Sequence, residues 1–109
     1  MFTMDFNVEK YLKNLPDNTK EIHLNNMGLK ELPDLSRFKN LEVLMCSNNE
    51  LTFLPELNEN LLELWCCNNK LKDLPKLGEK LRYLSCYNNE FEDIPKLNKF
   101  LTFVKWFGK

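Results

Sequence analysis

A chain of 109 residues, with 15 lysines and arginines against 16 acidic residues, fits one domain of near-neutral charge. Its 43% hydrophobic content argues against disorder, and the balanced charge argues against a surface that seeks polyanions. No apolar run is long enough for a transmembrane helix, and Met1-Phe-Thr-Met-Asp-Phe6 lacks the basic start and apolar stretch of a signal peptide. With no Asn-x-Ser/Thr acceptor either, a reducing, cytoplasmic compartment is expected.

Residues 1–17 do not repeat. Val8, Tyr11, Leu12 and Leu15 follow the i, i+3, i+4, i+7 spacing of one helix face, with Asp5 or Asn7 as N-cap and Pro16 as the stop. The expectation is a helical cap that covers the end of a repeat array, rather than a helix lying on a membrane. Residues 18–40 form a degenerate first unit, in which Ile22, Leu24, Leu29, Leu32, Pro33 and Leu35 hold the pattern. There Thr19 replaces the first leucine and Met27 stands where later units place their second asparagine.

The pattern itself is clearest from Leu41 to Pro55, and it returns at Leu61–Pro75 and Leu81–Pro95. The shared skeleton is L-x-x-L-x-C-x-N-N-x-L-x-x-L-P-x-L. Units at 41–60, 61–80 and 81–100 are followed by a terminal strand at 101–109. The L-x-x-L-x-C portion alternates inward and outward, as a strand does, and like-directed units should pair in parallel. The return segment holds proline at 33, 55, 75 and 95 and leaves too few residues for a helix, so an extended, polyproline-type path is expected. Asn49, Asn69 and Asn89 fall where the chain leaves the strand, and a side-chain amide there can satisfy backbone donors and acceptors at once.

This skeleton resembles the short bacterial class of leucine-rich repeats, such as the repeat domains of YopM and invasion-plasmid-antigen effectors. The resemblance covers residues 19 to about 104. It implies a leucine-rich repeat solenoid with a parallel sheet of about five strands on the concave face, a helix-free convex side and an N-terminal capping helix. It also implies protein recognition through the concave face and no enzymatic activity. The chain departs from the class in its cysteine column and doubled asparagine, and nothing in it corresponds to the ligase domain of some relatives.

Cys46, Cys66 and Cys86 share one inward repeat position. Parallel strands lie about 4.8 Å apart while disulfide Cβ atoms need about 3.8 Å, so small buried hydrophobes are expected, not bridges. One column of thiols cannot surround a tetrahedral metal, and neither metal nor cofactor is expected. Cys67 follows Cys66 directly and should point outward, as the one thiol to react quickly in the native protein. His23, the single histidine, lies two strands from Cys67, roughly 10 Å away, too far for a nucleophile–base pair.

The remaining outward strand positions carry Val43, Met45, Trp65, Tyr83, Tyr87, Phe103 and Phe107, which with Cys67 are the expected partner-binding surface. Trp65, Tyr83 and Tyr87 should form its energetic centre. Nucleic acid is disfavoured by Glu21, Glu42 and Glu63 on this face. Val104 and Trp106 lie on a last strand that no cap follows, and a second copy pairing about a two-fold axis is the alternative expectation.

Overall fold

The computed structural model describes residues 6–93 and the backbone of Phe103–Lys105. Asp5, Pro95, Trp106 and Phe107, and the side chains of Phe103 and Val104, lie outside the described residues.

Helix α1 spans Val8–Lys13. Its N-cap is Asn7, whose side-chain oxygen accepts from the Lys10 amide at 3.0 Å. Leu12 is buried in the core, while Phe6, Val8, Tyr11 and Leu15 pack against it partly covered. The chain turns at Pro16, whose carbonyl accepts from both the amide and the hydroxyl of Thr19.

Short strands follow, β1 Glu21–His23, β2 Val43–Met45, β3 Glu63–Trp65, β4 Tyr83–Ser85 and β5 Phe103–Lys105. They pair in parallel in chain order, and Ile22, Leu44 and Leu64 align with Leu44, Leu64 and Leu84. Hydrogen bonding outlasts the strands. Glu50, Lys70 and Glu90 amides still donate to the carbonyls of Leu29, Leu51 and Leu71, each at 2.8 Å. No helix follows any strand among the described residues. The prolines and the short return leave none of the length a helix needs.

Each repeat closes around its own leucines. Leu41, Leu44, Leu51 and Leu54 of the second unit are buried, and so are their equivalents Leu61, Leu64 and Leu71 in the third. Burial of each such side chain contributes on the order of 2 kcal/mol. Cys46, Cys66 and Cys86 extend this interior as expected, unpaired and at most 1% exposed. Removal from water pushes the Cys46 and Cys86 thiols up to about 12 and holds the Cys66 thiol well above its ordinary value.

The asparagine ladder is present. The Asn69 side-chain oxygen accepts from the Leu51 amide, while its NH₂ faces the carbonyls of Cys46, Cys66 and Cys67 at 3.0–3.2 Å. Asn49 and Asn89 repeat this arrangement, and Asn49 also accepts from Met27, whose unit lacks the amide. The doubling of asparagine has a backbone cause. Asn26, Asn48, Asn68 and Asn88 have φ between 57° and 60°, a left-handed conformation that asparagine adopts more readily than other non-glycine residues.

The two extra residues of the first unit bring Arg37 and Phe38 to the junction with α1. Phe38 is 2% exposed, and the Arg37 guanidinium sits 4.2 Å from its ring centroid. The same guanidinium donates to the carbonyls of Leu12 and Leu15 at the end of the helix and to the Asp17 carboxylate. One side chain thus adds polar ties to the apolar packing of the helix on the first repeat.

Candidate functional site on the outward face of the sheet

The register places Glu21, Val43, Glu63 and Tyr83 in one outward row, and His23, Met45, Trp65 and Ser85 in the next. Val43, Met45, Trp65, Tyr83 and Tyr87 are all half-buried, intermediate between core and free surface. They shield one another because large side chains on adjacent strands lie within reach. The Trp65 and Tyr83 rings stack with centroids 4.5 Å apart and planes 27° from parallel. The Trp65 indole N–H donates to Glu63 Oε1 at 3.1 Å, which fixes the ring along its own strand.

Ser85 is buried beside this stack, 1% exposed, and hydrogen-bonds the Tyr83 side chain. Partial desolvation raises the Tyr83 hydroxyl above its ordinary value, with further contributions from Cys67 and Glu63. On β1 the ring of His23 meets Glu21 Oε1 at 2.9 Å, and both side chains are more than half exposed.

Cys67 departs from expectation. It lies in the outward row but is only 6% exposed, so it is not an open thiol. Its sulfur is 3.2 Å from Ser47 Oγ and 3.6 Å from the Asn68 amide nitrogen, and the Tyr87 side chain hydrogen-bonds it from the next strand. That bond to Cys67 is the main cause that raises the Tyr87 hydroxyl. The row forms a second ladder, unforeseen in the sequence. Asn25 accepts from the Ser47 amide at 2.7 Å, and Ser47 Oγ accepts from the Cys67 amide at 3.1 Å. The cover of Cys67 comes from neighbouring strands, which strand alternation does not describe.

Among the described residues, no three His, Cys, Asp or Glu side chains gather where they could hold a metal ion. The grooves on the return side are lined by dispersed lysines, glutamates and asparagines, such as Lys39, Glu56, Asn58 and Lys76. The described residues include no helix long and apolar enough to cross a membrane. Sequence reading also missed Phe53, 53% exposed on the return of the second unit and away from the sheet.

Residues 59–99 match a family profile described as leucine-rich repeats, in two copies. The structure is similar to the leucine-rich repeat domain of a Shigella effector, with 27% identity and a TM-score of 0.61. That similarity covers 89% of this chain and 51% of the effector structure, so the chain spans about half that domain's length. A search of curated sequences returns no significant match. Repeat pattern, fold and similarity together support a likeness to leucine-rich repeats of bacterial type, of the kind found in effector repeat domains. Leucine-rich repeat domains generally mediate protein–protein interaction and are typically non-catalytic.

Proposed function

We propose that this chain is a non-catalytic solenoid module that binds a protein partner on the concave, outward face of its sheet. In this reading α1 caps the first repeat and β5 completes the sheet as a fifth strand. The observation that supports it is the stacked, half-buried Trp65–Tyr83 pair on a face that water would normally fill with polar residues. Val43, Met45 and Tyr87 surround that centre, and Cys67 supports it from beneath. Aromatic side chains and methionine are what interface cores are enriched in. Five strands span only about 20 Å, at the low end for a specific interface, so modest affinity is expected. A cytoplasmic setting, or a host cytosol if the protein is secreted, agrees with four unpaired thiols.

The test is affinity capture with the native protein and with Trp65→Ser, each checked for its melting curve. Loss of partner capture with a nearly unchanged melt supports the reading. Undiminished capture by the variant removes it. The second reading, pairing of two copies along β5 through Val104 and Trp106, is supported by the place of β5 at the end of the strand order. Light scattering should then show a dimer that Val104→Lys converts to monomer, and a monomer at every concentration removes this alternative.

A further inference from the structure

We propose that the Trp65–Tyr83 stack and Glu63 together form a receptor for an arginine side chain on a basic segment of the partner. This rests on the reading of the sheet face as a protein-binding surface and specifies the chemistry that surface prefers. Stacked at 4.5 Å and 27°, the two rings cover each other's facing sides, so an incoming cation meets the outer face of one ring or their shared edge across β3 and β4. The Glu63 carboxylate is held at the edge of that surface by the bond it accepts from the indole N–H. Each carboxylate oxygen accepts more than one hydrogen bond, so capacity remains for an incoming donor.

The surrounding charge has the matching sign. Outward side chains of β1–β4 include the carboxylates of Glu21 and Glu63 and no lysine or arginine. Lys20 and Arg82 stand on the rim before β1 and β4, and Arg82 is turned to the carbonyls of Glu79 and Leu81. A guanidinium satisfies both components of this site, because its plane stacks on aromatic faces while its edge donates to a carboxylate. Lysine offers only a point charge, and an acidic segment would meet Glu21 and Glu63 as like charges. A basic partner is therefore the occupant that this face favours.

The probe is an acetylated hexapeptide of alternating arginine and leucine, compared by calorimetry with the same peptide carrying neutral citrulline in place of arginine. The arginine peptide should bind about tenfold more tightly, and Glu63→Gln and Trp65→Leu should each remove most of that preference. Glu90→Gln, exposed at the start of a return segment, should leave the preference unchanged. Equal binding of the two peptides overturns the arginine site while leaving an apolar protein-binding face in place. A preference that Glu90→Gln reduces as much as Glu63→Gln also overturns it, because attraction is then diffuse rather than local. Failure of both peptides to bind overturns it as well, and the capture experiment with Trp65→Ser judges the broader reading separately.

Discussion

The two adjacent asparagines that follow β2, β3 and β4 act through different physics, and after β1 only the first of them is present. The first, at 26, 48, 68 and 88, supplies a left-handed backbone, while the second, at 49, 69 and 89, supplies a buried amide. Asn69→Asp keeps the shape but turns an NH₂ into an acceptor facing the carbonyls of Cys46, Cys66 and Cys67. It should cost about 3 kcal/mol or more, read as a lower urea midpoint. Asn68→Gly should be close to neutral, whereas Asn68→Val should be strongly destabilising, because a β-branched residue resists positive φ. Equal midpoints for the two position-68 variants would refute the backbone assignment. The second asparagine's role was legible in the sequence, because a turn into the core implies unsatisfied backbone groups. The first was visible only as a departure from the family pattern, since φ leaves no mark on a residue list. The same limit applies to Cys67, whose cover depends on Ser47 and Tyr87 of the neighbouring strands. Native protein should therefore show no fast-reacting cysteine toward a thiol reagent, and Tyr87→Ala should expose one. Rapid native labelling of Cys67 in the unaltered protein would contradict its burial.

Between elements, the repeats meet by register and the helix meets the repeats by Arg37. Leucine spacing announced the strands, because every L-x-x-L-x-C unit buries the same positions and a period of 20 leaves one register for its neighbour. The helix was legible from Val8, Tyr11, Leu12 and Leu15, but its N-cap only as a choice between Asp5 and Asn7, of which Asn7 serves. The junction was not legible, since Arg37 and Phe38 lie in the stretch between Leu35 and Leu41, which is two residues longer than its counterparts in the later units. Arg37 closes three partners at the end of α1 and covers Phe38, yet its side chain is 41% exposed. Its charge is thus partly screened, and Arg37→Ala should cost about 1 kcal/mol. Helix α1 has only 6 residues, too few for a stable helix in water without tertiary contacts. The loss should therefore be local. Amide exchange should accelerate in α1 and around Thr19 while β3 stays protected, and uniform acceleration through the sheet would refute a local fastening.

At the scale of the whole molecule, stacking gives the protein one continuous interior, and its most unusual part is the cysteine column. Cys46, Cys66 and Cys86 cross three repeats at one level, each surrounded by leucine and by the other thiols. In the unfolded chain such thiols ionise near 9.0, whereas burial holds Cys46 and Cys86 protonated up to about 12 in the folded protein. Folded-state values raised in this way leave stability intact below about pH 9 and remove it as pH climbs toward 12. In that window each thiol that ionises only on unfolding removes about 1.4 kcal/mol per pH unit. Because contacts in an array run only between neighbours, the loss should spread from the cysteine repeats to the whole sheet. Lysines and tyrosines titrate in the same range, so the effect is isolated by comparison with Cys86→Ala. That variant should be less stable at pH 7 through its small cavity, yet should lose less further stability between pH 8.5 and 10.5 than the unaltered protein. Urea midpoints at the two pH values measure this difference, and equal losses in both proteins would show that the buried thiols do not govern the alkaline limit of the fold.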